Sequence, residues 1–270
     1  MPHTPVTDRF LPAVGSLMRS AGEIILSAHD PESPGHLHSK PGTQNFVTDY
    51  DIAVQRFLID GLTAAFPGAG FIGEEKANDA SLLGGELCFV IDPIDGTNNF
   101  IHNCRMSCIS VAAVSRGEVI FGAVYNPYSG KLVHAAKREG CFEDSRPVRV
   151  SDRPMRIAMA VFGPCPYYKD TLSEATFSMA REVFCACADI HRTGSAAIDL
   201  CSVATGSCDL FFELILQPWD YAAGKLIVEE AGGIITAADG SPLTLDRPSS
   251  VICGTPETYP ALLEIAKKYI

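Results

Sequence analysis

The chain is 270 residues long, 47% hydrophobic and 20% charged, and 21 Lys+Arg set against 32 Asp+Glu leave a formal net charge of −11. That composition supplies a core and excludes disordered and collagen-like classes, while the negative balance repels phosphate backbones and anionic membranes, so neither nucleic acid nor membrane is expected as a partner. No apolar stretch approaches the roughly 18 residues of a spanning helix, and Met1-Pro2-His3-Thr4-Pro5 lacks the layout of an export signal, so a cytoplasmic protein with reduced, mostly buried cysteines is expected.

Phe10, Val14, Leu17, Ala21, Ile24 and Ala28 recur at steps of three and four and predict a first helix over 8–28. Residues 29–42 read as a loop leading into Phe46-Val47-Thr48-Asp49-Tyr50-Asp51. Val54, Leu58, Leu62 and Ala65 then repeat the helical period up to Pro67-Gly68. From 87 the texture changes: 87–91, 107–113, 119–125 and 131–136 are short apolar runs between turn signals, the pattern of antiparallel strands and hairpins. Beyond the loop 145–154, strands are expected over 157–162, 209–213, 234–237 and 249–253, and helices over 171–183, 195–205, 219–231 and 256–268.

Blocks of helices and blocks of strands argue for a layered α+β fold rather than regular βαβ alternation. With no repeat and no long linker, a single domain is expected, its lobes spanning about 1–150 and 151–270.

The densest polar cluster is Asp92-Pro93-Ile94-Asp95-Gly96-Thr97. Two aspartates leave one strand end together, and with the Ile94 carbonyl they offer the oxygen-only environment of hard divalent cations. Gly96 permits close backbone approach, and Thr97 adds a hydroxyl at a helix start, where free N–H groups favour phosphate. An ordinary Asp-Pro-Gly turn would account for the residues taken alone. That simpler explanation weakens because Thr48-Asp49-Tyr50-Asp51, Gly73-Glu74-Glu75 and Pro218-Trp219-Asp220 place further acids at element ends beside apolar runs.

The set resembles the inositol monophosphatase family of magnesium-dependent, lithium-sensitive phosphatases, nearly end to end. Gly73-Glu74-Glu75 resembles its metal-binding G-E-E, Asp92 to Thr97 its D-P-I/L-D-G-T, and Trp219 to Gly224 its W-D-x-A-A-G. Gly194-Ser195-Ala196-Ala197 is similar to its G-S/T-A-A turn, and Lys40 with Val47-Thr48 and Asp51 to its N-terminal lysine and V-T-x-x-D. The resemblance implies an αβαβα sandwich of the inositol monophosphatase/fructose-1,6-bisphosphatase type. It implies one Mg²⁺ on Glu74, Asp92 and the Ile94 carbonyl, and a second on Asp92, Asp95 and Asp220, with room for a third, weakly held. Thr97 and Asp51, assisted by Glu74, would orient and deprotonate the attacking water, the first ion lowering that water's pKa. Four carboxylates neutralise two such ions, so a phosphate dianion needs other partners. Backbone N–H groups at Gly96-Thr97 and at Gly194, Ser195 and Ala196, together with Lys40, are suited to it.

Glu213 matches a family position that contacts polyol hydroxyls, so Asp95, Asp220 and Glu213 complete the expected substrate site. Glu75 and Asp49 are expected to face away. Gly232-Gly233 reads as a helix C-cap. His102, Cys104, Cys108, Cys185, Cys187 and His191 lack zinc-site spacing and are expected to pack in the core. Where the family carries an aromatic–proline lip, this chain reads Asn103-Cys104-Arg105-Met106-Ser107, which alters the substrate rim. The expected activity is Mg²⁺-dependent hydrolysis of inositol monophosphate or a similar small polyol phosphate, by a protein that is a homodimer as many family members are. Alternatives are relatives acting on fructose 1,6-bisphosphate, NADP, histidinol phosphate or a 3′-phosphoadenosine nucleotide, or an interaction protein with incidental hydrolysis.

Overall fold

The computed structural model describes residues 5–33, 35–39 and 46–270. In chain order the elements are α1 (Val6–Leu26), β1 (Leu37–Ser39), β2 (Phe46–Thr48), α2 (Asp49–Ala65), β3 (Gly70–Gly73), β4 (Cys88–Asp95), α3 (Thr97–Ile101), β5 (Cys108–Ser115), β6 (Glu118–Asn126), β7 (Lys131–Ala136), β8 (Gly140–Glu143) and β9 (Arg146–Val148). They continue with β10 (Met159–Phe162), α4 (Lys169–Ala186), β11 (Asp189–His191), α5 (Ala196–Ala204), β12 (Leu210–Leu216), α6 (Pro218–Glu230), β13 (Ile234–Thr236), β14 (Ser249–Gly254) and α7 (Tyr259–Ala266).

β3 to β9 form a seven-stranded sheet in sequential order, and β11-β10-β12-β14-β13 form a five-stranded one. Both are buried on two faces, which is why their strands read as continuous apolar runs instead of alternating ones. In β4, Phe89 and Ile91 pack with Phe10, Val14 and Leu58 of α1 and α2, while Cys88 and Val90 join the cluster holding Leu200 of α5 and Leu226 of α6. In β12, Phe211 faces that same cluster, and Leu210 and Phe212 face Met179 of α4 and Leu262 of α7. The order of layers is therefore α1/α2, large sheet, α5/α6, small sheet, α4/α7: an αβαβα sandwich. Among the described residues no helix is long and apolar enough to cross a membrane.

Several expectations need correction. The small sheet contains parallel pairs, β10 with β11 and β10 with β12, joined through α4 and α5, so βαβ connections occur where the sequence argued against regular βαβ alternation. The strand predicted from 157 begins at Met159, because Met155–Ile157 form a single tight helical turn that leaves Ile157 46% exposed. All ten cysteines are unpaired, as expected of reduced thiols. Cys108 is buried, but Cys104 and Cys185 are exposed and so are His102 and His191, so the core packing proposed for them fails. Cys104 sits in the turn after α3 and Cys185 on the outward side of α4.

Candidate active site

Strand register assembles the acids. β3 and β4 run parallel with Gly73 opposite Ile91, so both leave the sheet at one end. Glu74 follows β3 and donates its N–H to the Ile91 carbonyl at 3.3 Å, which sets it beside Asp92. Against β5, Asp92 lies opposite Ser110 and Asp95 opposite Cys108, so Pro93 and Ile94 together span the single residue Ile109. A regular strand would point side chains three apart to opposite faces; the extra residue is a bulge that turns both aspartates to one side. Gly96 then reverses the chain at φ 90°, and an added Cβ would lie 3.0 Å from the Met106 carbonyl oxygen and 3.2 Å from that of Gly194. Glycine is required there twice over.

The middle helix layer supplies the opposing side. Ser195 caps α5 by accepting the Ile198 N–H at 3.3 Å, and its hydroxyl donates to Asp95 Oδ2 at 2.6 Å. The Ala197 N–H donates to the same oxygen at 2.7 Å. Asp220 is the third residue of α6, where its Oδ2 accepts the Gln217 N–H at 2.7 Å. Asp51 holds the equivalent place in α2: its Oδ2 accepts the Thr48 N–H at 2.8 Å and the Thr48 hydroxyl. The other oxygen, Oδ1, lies 3.3 Å from the Thr97 hydroxyl, which also lies 3.2 Å from the Ile94 carbonyl.

Glu74, Asp92, Ile94, Asp95 and Asp220 line a cavity of about 90 Å³ together with Gly96, Thr97, Gly194, Ser195, Ala196 and Glu213. Asp51 stands behind Thr97, and Lys40 lies outside the described residues. A wider groove of about 730 Å³ beside α1 and α3 is lined by none of these groups. Burial, then Glu74, Asp95 and Asp220, raise the Asp92 carboxyl well above the usual range; burial, then Asp95 and Glu74, do the same to Asp220. Asp95 is pushed up by burial to about 6, against the pull of its Ser195 and Ala197 donors.

Such crowding calls for external positive charge. Among the described residues no three His, Cys, Asp or Glu side chains form a preformed cation cage. Instead Asp92 Oδ1 accepts the Ile94 N–H at 3.1 Å, and Asp95 and Asp220 each tie down Oδ2. The second oxygen of each, with Glu74 and the Ile94 carbonyl, makes an all-oxygen donor set that fits a hard divalent cation.

Two expectations shrink. The start of α5 offers fewer free donors than foreseen, because the Ser195 N–H is engaged by the Thr193 hydroxyl at 3.2 Å. α3 has only five residues, too short to sum much of a dipole at Gly96-Thr97. Glu213 is not at a strand end: β12 runs on to Leu216, and an irregularity between Glu213 and Leu216 begins at this residue. It is 7% exposed, accepts the Cys165 N–H at 3.2 Å, and burial pushes its carboxyl up to about 8. Asp49 faces away, between His36 and His38 at 3.1 and 2.8 Å. The Glu75 N–H is held by Gln55 at 2.9 Å.

The lining also includes Gly163, Tyr167, Arg192 and Asp199, which no motif announced. Asp199 lies one helical turn past Ser195, an acid inside an apolar helix start, and that was the available signal. It accepts the Thr193 hydroxyl at 2.7 Å, and burial raises it to about 8. Burial, then Glu74 and Asp220, push the Tyr167 phenol up.

Residues 8–270 match the sequence profile described as the inositol monophosphatase family. The chain is 32% identical over 246 residues to Nus factor SuhB of Salmonella typhimurium, covering 91% of each. It is 33% identical over 243 residues to inositol monophosphatase 2 of Solanum lycopersicum, covering 88% of this chain and 91% of that one. Among solved structures it resembles the Thermotoga maritima IMPase (TM-score 0.86, 27% identity, 97% and 98% covered). It also resembles Staphylococcus aureus IMPase-II with inositol monophosphate bound (TM-score 0.79, 27% identity, 96% and 93% covered).

Proposed function

The chain belongs to the inositol monophosphatase family and is a phosphatase, and from that premise we propose that it hydrolyses inositol monophosphate or a similar small polyol phosphate to the alcohol and inorganic phosphate, using Mg²⁺. One observation carries the reading: Glu74, Asp92, Asp95, Asp220 and the Ile94 carbonyl meet in a single cavity, with the Thr97–Asp51 pair behind them. The four carboxylates and the carbonyl would hold Mg²⁺. When bound, the cation supplies charge to balance the acids and phosphate oxygens and lowers the pKa of a water.

The chain's own residues do the rest. The Thr97 hydroxyl, 3.3 Å from Asp51 Oδ1, orients the attacking water and relays its proton to that oxygen, with Glu74 assisting. Asp51 is fully buried and keeps Oδ1 turned to Thr97 because Thr48 occupies Oδ2. The phosphate lies against the first turn of α5, and the ester oxygen, which takes a proton from water as the P–O bond breaks, leaves as the alcohol beside Asp220 and Glu213. A cytoplasmic location and a homodimer belong to the same proposal.

A screen of small phosphorylated metabolites for phosphate release, with Mg²⁺ titrated and Li⁺ added, tests this. Expected is Mg²⁺-dependent, Li⁺-inhibited hydrolysis that favours inositol monophosphate. Strong preference for a nucleotide would overturn the substrate, and activity indifferent to Mg²⁺ would overturn the mechanism. A second reading, a role exerted through the surface, is favoured by the equally close similarity to proteins named Nus factor SuhB. It predicts that a biological role survives loss of hydrolysis in Asp95→Asn.

A further inference from the structure

Two side chains of β5 stand directly beside the crowded acids, Cys108 opposite Asp95 and Ser110 opposite Asp92. Strand alternation turns both toward the face of the sheet that packs on α5 and α6, the face to which Val90, Cys108 and Ala112 belong. The two are served differently. The Cys108 thiol donates to Asp95 Oδ2 at 3.9 Å and lies 3.5 Å from the Ser195 hydroxyl, so it is taken up in the network that holds that carboxylate. The Ser110 hydroxyl is 1% exposed and has no hydrogen-bond partner among the described residues. Val124 lies opposite it on β6 and Ala112 two places along β5, both apolar. A buried hydroxyl without a partner destabilises the chain that carries it, and the polar group directly across from this one is the Asp92 carboxylate.

We propose that Ser110 is a positioning residue for the cation site: with a divalent cation on Asp92, the Ser110 hydroxyl turns to donate to that carboxylate and holds it toward the ion. This rests on the reading of Glu74, Asp92, Asp95 and Asp220 as cation ligands and deepens it. Directly opposed side chains on antiparallel strands have Cβ atoms about 5 Å apart, and one side-chain rotation swings a serine hydroxyl between its staggered positions, so the bond needs no backbone movement. Asp92 gives Oδ1 to the Ile94 N–H at 3.1 Å, and a carboxylate has acceptor sites enough for that bond, a hydroxyl and a cation together. Carboxylates that ligate metals are themselves hydrogen-bonded, and such donors orient them and favour the charged form. The hydroxyl therefore acts in opposite senses in two states: an unpaired liability without the ion and a partner with it.

Ser110→Ala tests this beside the wild type, with Mg²⁺ uptake followed by isothermal calorimetry and melting curves run in EDTA and in saturating Mg²⁺. Loss of the hydroxyl should weaken Mg²⁺ binding by about tenfold, and the Mg²⁺ concentration giving half-maximal phosphate release should rise by a similar factor. Ser110 does not line the cavity, so with Mg²⁺ saturating, phosphate release should stay within about threefold of wild type. In EDTA the variant should melt no lower than wild type, since an unpaired buried hydroxyl has been removed, while the rise in melting temperature on adding a fixed, subsaturating Mg²⁺ should shrink. Ser110→Cys, close in size and a weak donor, should bind Mg²⁺ with an affinity between those of wild type and Ser110→Ala. Equal Mg²⁺ affinity in wild type and Ser110→Ala, or melting curves lowered alike with and without Mg²⁺, would overturn the positioning role alone. A folded wild-type protein that takes up no Mg²⁺ would overturn the cation reading and this inference with it.

Discussion

Asp95 and Glu213 are buried carboxylates in one cavity, yet Asp95 accepts hydrogen bonds of 2.6 and 2.7 Å from the start of α5 whereas Glu213 accepts one of 3.2 Å from Cys165. Burial raises both, Asp95 to about 6 and Glu213 to about 8. The difference follows the donors, since N–H and O–H groups aimed at a carboxylate favour its charged form. Among the crowded acids Asp95 is thus the one its donors hold nearest to the ionised form, while Asp92 and Asp220, raised well above the usual range, need a bound cation to ionise. Glu213, pushed up to about 8, is suited to reading the alcohol half of a substrate.

The strongest way to break this contrast is Asp95→Asn. The amide oxygen can still accept from Ser195 and Ala197, so the fold should persist while phosphate release falls by roughly a thousandfold or more. A melting curve beside the activity assay separates the two outcomes, and retained activity would remove Asp95 from the chemistry. Gly163→Ala sharpens the contrast from the side of Glu213. An added Cβ would sit 1.8 Å from Glu213 Oε2, so the carboxylate must swing away. KM for a polyol phosphate should rise by about tenfold with kcat and Mg²⁺ dependence nearly unchanged. A fall in Mg²⁺ affinity instead would mean the two carboxylates are not separable.

The smallest effect expected is on stability. Asp199 and Glu213 titrate near 8 in the fold and near about 4 when unfolded, so the folded state binds the extra protons between those values. Their contribution is full below the unfolded value and is lost as pH rises toward 8. Metal-free protein in EDTA should therefore melt a few degrees lower at pH 8.5 than at pH 5.5, and Glu213→Gln should flatten that slope. A melting temperature that rises over this window would contradict the assignment.

These contrasts explain what the sequence could disclose. Asp92 and Asp95 were legible because a bulge needs only local residues, and Pro93 and Gly96 mark it. Asp51 and Asp220 were legible because each is the third residue of a helix whose start is written in Thr48 or Pro218. The layered α+β class was legible in the blocks of helices and strands, and the sandwich followed from the family resemblance alone. Gly163 was not legible, because the parallel pairing of β10 with β12 brings it to Glu213 from a segment with no motif of its own, whereas Asp199 left only the signal of an acid in an apolar helix start. Strands of three or four residues, such as β1, β3 and β11, are likewise too short to show an alternation.

The account turns on whether Glu74, Asp92, Asp95 and Asp220 together hold cations. Isothermal calorimetry of Mg²⁺ added to EDTA-stripped protein tests that most directly. Saturable uptake of two ions, the second weaker, with most of the heat lost in Asp92→Asn, is the predicted result. Native, folded protein that takes up no Mg²⁺ would contradict it.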